Sequence, residues 1–139
     1  MTRINTIDPQ HLLDQHLMAE YREITRVSSL SRHCTIPCCY VMGTGHVKFF
    51  YDKGLFLANR RIVLFHELER RGYAVNWFEY VAHLPSLHKD WQPTSTDHSI
   101  SLQRLDEKLR AKPTFYTFNK TKVQLDHYSK LKEFYKCVY

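Results

Sequence analysis

The sequence predicts an all-α fold: one compact domain of three main helices, a short fourth helix near the C-terminus, and long loops. Three observations carry that expectation. Apolar residues recur at three- and four-residue spacing in three separate stretches, the mark of helices with one buried face. Two-residue alternation, the mark of a half-buried strand, is barely present. The chain of 139 residues, 43% hydrophobic and 24% charged, suits one domain (1–139) with a modest core.

The first helix is expected from about residue 9 to about residue 30, with Asp8 as N-cap and Pro9 at the first helical position. At about 100° per residue, Leu13, Leu17, Tyr21 and Ile24 line one side and should face the core. Gln15, Arg22 and Arg26 lie opposite, with His16 and Glu23 at the flank, all five within an arc of about 120°. On spacing alone, Glu–Arg pairs on a solvated face explain this grouping, at about 0.3–0.5 kcal/mol each. In CCYVMGTGHVKFFYDK, Gly43 and Gly45 mark a tight loop, and turn geometry explains them better than phosphate binding does. His46 is open between a DNA contact and a satisfied structural histidine.

A second helix fits about 52–71, with Leu55, Ala58, Ile62 and Phe65 in register and Leu57, Leu64 and Leu68 broadening the stripe. Arg70 and Arg71 meet the negative end of its dipole and Gly72 ends it. Arg60 and Arg61 read as exposed cations, open to phosphate contact or plain solvation. Residues 73–96 read as loop, broken by Pro85 and Pro93 and anchored by two Trp. A third helix is expected over about 97–111, with Leu102, Leu105 and Leu109 inward and Arg104 and Lys108 sharing another face. An aromatic, basic extension (114–139) follows, in which a fourth helix is expected over about 121–135.

The net charge of +6 and pI near 9.2 point to a polyanionic partner, most often nucleic acid. No apolar run is long enough to span a bilayer. The opening TRINTIDPQ is polar and carries an acid, unlike a signal peptide. The expected location is the cytoplasm, nucleoid-associated, or the host cytoplasm for a phage-encoded protein. Cys34, Cys38, Cys39 and Cys137 should be free thiols there. With His33 they make one irregular cluster rather than the two chelating pairs of a structural zinc site. Neither metal nor cofactor is expected, and a monomer is the default.

Thr2 is small, so removal of Met1 would leave its α-amine as the chain's first group. Such an amine has a reference pKa of about 7.7–8, and cationic neighbours such as Arg3, Arg22 or Arg26 would lower it further. It can attack a sugar C1′ to give a Schiff base, while a nearby carboxylate stabilises cationic sugar character and moves protons.

The opening MTRIN, then DQHLMAEYRE (14–23) with Arg26-Val27, resembles the pyrimidine-dimer DNA glycosylase family, whose founding member is the phage endonuclease V. GHVKFFYDK (45–53) resembles that family's central segment, and RLDEK (104–108) with Pro113-Thr114 its third helix and C-terminal start. The resemblance implies an all-α, metal-free enzyme acting on cyclobutane pyrimidine dimers in duplex DNA. It would cut the glycosidic bond, then nick the strand by β-elimination at the resulting abasic site. By position, Thr2 would supply the nucleophilic α-amine and Glu23 the catalytic carboxylate. Arg3, Gln15, His16, Arg22 and Arg26 would bind the lesion and its phosphates, with Arg104 and Lys108 also contacting DNA. The chain departs from the family in a shorter, less basic 28–42, in 73–96, and in Phe115 where the founding member has Trp. Two other readings stand beside this one: a same-mechanism glycosylase for another modified or oxidised base, and a non-catalytic basic DNA-binding protein.

Overall fold

A computed structural model describes residues 4–29, 35–77 and 87–136 of the chain. Asp8 caps a helical turn as expected, accepting a hydrogen bond from the Gln10 N–H at 2.9 Å, but this turn is a three-residue 3-10 helix, Pro9–His11. Leu12 then becomes extended, with ψ 141°, and the α-helix proper, α1, spans Asp14–Ser29. The expected single helix from residue 9 is therefore split in two. The break lets Leu12 and Leu13 both bury completely. The carbonyls it strands are collected by Arg71, described below.

A short helix that the sequence reading missed, α2 (His46–Phe49), starts at Gly45, whose φ of 92° favours glycine. The second expected helix is α3 (Gly54–Arg70), and it stops at Gly72 with φ 87°. No side chain caps the start of α3. Instead the Lys89 carbonyl accepts from the Leu55 and Phe56 N–H groups, at 3.2 and 3.3 Å. The third expected helix is α4 (Ser95–Ala111), opened by a capping box between Thr94 and Asp97.

The expected helix over 121–135 is replaced by other structure. A two-residue hairpin joins β1 (Thr117–Phe118) to β2 (Thr121–Lys122) through Asn119 and Lys120, both at positive φ. Among the described residues after it, only a 3-10 turn at Ser129–Leu131 and α5 (Lys132–Lys136) are helical. The tail folds this way because its aromatic hydroxyls reach backbone groups near the chain start. Tyr128 accepts from the Leu13 N–H at 3.0 Å and Tyr135 from the Asp8 N–H at 2.9 Å. The whole is mostly α-helical. Leu17, Tyr21 and Ile24 of α1 bury as expected, in one core with Leu57, Leu64 and Leu68 of α3 and Leu102, Leu105 and Leu109 of α4.

Buried ion pairs join α1 to α3. Glu20 is fully buried and bonds Arg60, with its Oε2 accepting from Arg60 Nε at 2.7 Å. Arg71 donates to Asp14 at 2.9 Å, to Glu67 at 2.7 Å, and to the carbonyls of Leu12, Pro9 and Gln10. Arg60, Arg61 and Arg71 are thus interior groups, which corrects the expectation of exposed phosphate contacts at Arg60 and Arg61. Arg61 lies under the Trp77 ring, 4.5 Å from its centre. Only Arg70 of the C-terminal pair is exposed, bridged to Glu67.

Replacing one member of a buried pair strands the other. Arg71→Met is expected to cost about 3–5 kcal/mol in urea unfolding, because Asp14 and three carbonyls lose their donor. A loss under about 1 kcal/mol would show that the cluster does not stabilise the fold.

Candidate nucleic-acid interface

The polar face of α1 forms one wall of a cleft of about 430 Å³. Gln15, His16 and Arg22 lie on that wall, and α4 contributes Arg104 and Lys108 opposite. Phe115 and Tyr116, just before β1, close one end. Five of the residues expected in the site therefore share one cavity, although Arg104 and Lys108 lie some 80 positions from α1.

The charge of the cleft is one-sided. Asp14 is its acidic lining residue among the described residues, and it is spoken for. Its carboxylate accepts from Arg71, from the Tyr73 hydroxyl at 2.9 Å, from Thr117 Oγ1 at 2.7 Å, and from the Asn119 and Lys120 N–H groups at 2.9 and 2.7 Å. Burial works against its ionisation, but these donors together hold its pKa below the usual carboxylate value. The two turn N–H groups make a small anion-binding nest around Asp14. That bonding offsets the positive φ of Lys120, a residue that rarely adopts it. The hairpin is thereby fixed to the start of α1, and with it the aromatic end of the cleft.

Gln15 lines the cleft, yet both ends of its amide are engaged by Thr117. Gln15 Oε1 accepts from the Thr117 N–H at 2.8 Å, and Nε2 donates to Thr117 Oγ1 at 3.2 Å. His16 stacks against Tyr116, with ring centres 4.5 Å apart, and its Nδ1 lies 2.7 Å from the Tyr128 hydroxyl. Burial, then the nearby His127, Lys108 and Arg104, push its pKa down to about 3, so the ring is neutral at physiological pH. Phe115 is 58% exposed at the cleft mouth.

Glu23 lies seven residues after His16, on the same flank of α1, but outside the cleft wall. Its carboxylate is 4.0 Å from Arg26, whose side chain is 75% exposed. Thr2 and Arg3 lie outside the described residues. The chain leading to them is held firmly. The Ile4 N–H donates to His46 Nε2 at 2.9 Å, and the Ile4 carbonyl accepts from the Tyr40 hydroxyl at 2.7 Å. His46 Nδ1 in turn bonds the Val41 carbonyl at 2.8 Å, which makes His46 a structural histidine. Next along, Asn5 donates to Glu20 at 2.9 Å and lines the cleft.

Cys38 and Cys39 are free and exposed, their sulfurs 3.2 Å apart. Cys34 and Cys137 lie outside the described residues, and no metal-binding cluster of His, Cys, Asp or Glu occurs among those described. No helix among the described residues is long and apolar enough to cross a membrane.

Three residues went unrecognised in the sequence: Asp14, Tyr116 and Tyr128. Asp14 carried a usable signal, as an acid next to the buried stripe of α1. Tyr128 carried none, because only the folded tail brings it under the cleft.

A cleft lined by three cations and one fully bonded acid, on a small and mostly helical fold, has the chemistry of a polyanion-binding site. Comparison with known families matches residues 1–79 to the pyrimidine dimer DNA glycosylase family. The match covers more than half of the 139 residues, and the chain belongs to that family. It is a DNA glycosylase of DNA repair, and its partner is DNA. The match takes in α1, α3 and the buried ion pairs, whereas α4 and the tail lie beyond it.

Burial lowers the pKa values of His16, His98 and His127 in the folded chain. Each then favours folding while neutral, so their contribution is complete above about pH 6.5 and is lost as the pH falls below it. Asp14 and Glu67, whose pKa values are also lowered, withdraw their stabilisation only at more acid pH, below about 4. Urea unfolding should show stability dropping between pH 7 and 5.5, by about 1.4 kcal/mol from His16 alone. A flat profile over that range would contradict a buried neutral His16.

Proposed function

We propose that the protein is a bifunctional pyrimidine-dimer DNA glycosylase and abasic-site lyase acting on ultraviolet-damaged duplex DNA. The observation that carries this reading is the double clamp on Ile4 beside the cationic cleft. One residue, Arg3, separates Thr2 from Ile4, so the covalent chain holds the Thr2 Cα to within about 7 Å of the Ile4 Cα. A freed Thr2 α-amine is therefore tethered close to the cleft that Asn5 lines.

In this mechanism Arg22, Arg104 and Lys108 bind the phosphates that flank the lesion, and Arg3 and Arg26 extend the cationic track. The Thr2 amine attacks the sugar C1′ of the damaged nucleotide. The bond to the base breaks and its electrons leave with the base; the attached amine then gives up its proton, the C1′–O4′ bond opens with its electrons going to O4′, which takes a proton, and an imine joins Thr2 to the opened sugar. Glu23 stabilises the cationic sugar and takes the C2′ proton, and β-elimination then breaks the 3′ C–O bond. Water hydrolyses the imine and frees Thr2. A pyrimidine dimer stacks and pairs poorly, so deforming the duplex there costs less than deforming intact DNA. Substrate selectivity follows in part from that difference.

Borohydride reduction of the protein mixed with irradiated duplex DNA should trap a cross-link on the Thr2 α-amine, located by mass spectrometry. A cross-link formed only with another damaged base would keep the mechanism and change the substrate. No cross-link with any damaged or abasic DNA would leave a DNA-binding protein without this chemistry. Glu23→Gln should cleave about 100-fold more slowly while binding damaged DNA within a few-fold of the unaltered protein. Near-normal cleavage would remove Glu23 from the mechanism. Arg104→Gln should weaken binding and lower the slope of log affinity against log salt by about 0.9, and an unchanged slope would mean that it meets no phosphate.

A further inference from the structure

Cys38 and Cys39 are adjacent in the chain, both exposed, with their sulfurs 3.2 Å apart. In an extended chain, successive side chains point to opposite sides. Here the backbone bends at both residues, which brings the two thiols together.

The two residues that follow carry the anchor of the chain start. The Tyr40 hydroxyl donates to the Ile4 carbonyl at 2.7 Å. The Val41 carbonyl accepts from His46 Nδ1 at 2.8 Å, which leaves His46 Nε2 to accept from the Ile4 N–H at 2.9 Å. Both holds on Ile4 therefore hang from the segment next to the thiol pair. Tyr40 is itself buried, stacked on Trp91 and 2.8 Å from Ser101 Oγ, so a shift of its backbone breaks a fitted seat.

We propose that Cys38 and Cys39 are a reversible thiol switch: a hydroperoxide closes them into a disulfide, and the closed ring loosens the hold of Tyr40 and His46 on Ile4. A slower turnover follows only if the Thr2 chemistry proposed above is right, whereas the disulfide does not depend on it. The Cys38 thiolate attacks the peroxide, an S–O bond forms, and the O–O bond breaks with its electrons going to the departing oxygen, which takes a proton. The Cys39 sulfur then attacks the Cys38 sulfur, the S–O bond breaks, and the hydroxide leaves as water with the Cys39 proton. Two electrons pass from the sulfurs to the peroxide. The order follows from Cys39, whose pKa is raised by its hydrogen bond to Cys38 and by the charge on Cys38, so that Cys39 keeps its proton.

Adjacent Cα atoms lie about 3.8 Å apart, less than the roughly 4.4–6.8 Å that a relaxed disulfide spans. Ring closure is therefore strained, and the strain passes into the backbone at the start of Tyr40. Strained, exposed disulfides are also the easily reduced ones, which makes the change reversible.

The test treats the full chain with hydrogen peroxide and maps the product by mass spectrometry. Peptides should show a Cys38–Cys39 bond, lighter by two hydrogen atoms, and Cys34→Ser with Cys137→Ser should still form it. A bond to Cys34 or Cys137 instead, or oxygen added to the sulfurs without a bond, would overturn the proposal. Amide hydrogen exchange at Ile4 should speed up about tenfold on oxidation and return with dithiothreitol. Unchanged exchange would overturn the link to the anchor. Cleavage of irradiated duplex should fall about tenfold with the same reversal, while Cys38→Ser keeps its activity in peroxide. Equal inactivation of Cys38→Ser would overturn the switch. A reduced protein that cleaves no damaged DNA would overturn the Thr2 chemistry and the effect on turnover, and the bond and the Ile4 exchange would still support or overturn the switch itself.

Discussion

The fold depends on satisfying one buried guanidinium. Arg71 has five N–H donors, and all five are used: on Asp14, on Glu67 and on the carbonyls of Pro9, Gln10 and Leu12. Burying a cation costs several kcal/mol unless its partners are complete, and here they are. The break between the 3-10 turn and α1 strands the carbonyls of Pro9, Gln10 and Leu12, and Arg71 permits it by donating to all three. Asp14, once paired, gathers the hairpin turn, and the hairpin places Phe115 and Tyr116 at the end of the cleft. A side chain at the end of α3 thus governs a cleft wall more than forty residues away.

The cleft is assembled from two parts of different standing. The matched stretch of residues 1–79 supplies α1, its polar face and the anchored chain start. Residues 95–118 supply the opposite wall and the aromatic end. The electrostatics follow the same division. α1 faces the cavity with a neutral His16, an engaged Gln15 and the exposed Arg22, while α4 brings Arg104 and Lys108. Neither part alone concentrates positive charge around an enclosed space.

Much of this was legible in the chain. The apolar stripe of α1, the stop at Gly72 and the pairing of Arg104 with Lys108 on one face all follow from period and punctuation. The interior arginines were not read, yet their position held the signal. Arg60, Glu67 and Arg71 fall at three- and four-residue steps from Leu57, Leu64 and Leu68, inside the buried stripe of α3. Glu20 sits likewise between Leu17 and Ile24 on α1. Charged residues of opposite sign on the buried stripes of two helices signal interior pairing, where a rule of exposed cations fails. The hairpin was missed for another reason. Its turn uses Lys120 at positive φ, and only Asp14, a distant residue, makes that conformation tolerable.

The tyrosines of the tail also set a timetable. Leu13 and Asp8, near the start of the chain, receive their partners from Tyr128 and Tyr135, more than one hundred residues later. Synthesis delivers those partners after α1 and α3, so a nascent chain on the ribosome holds both helices before it can hold a finished cleft. Any early-terminated product lacking the tail leaves the Leu13 N–H and the His16 ring unsupported. Translation past Tyr135 thus precedes completion of the cleft's support.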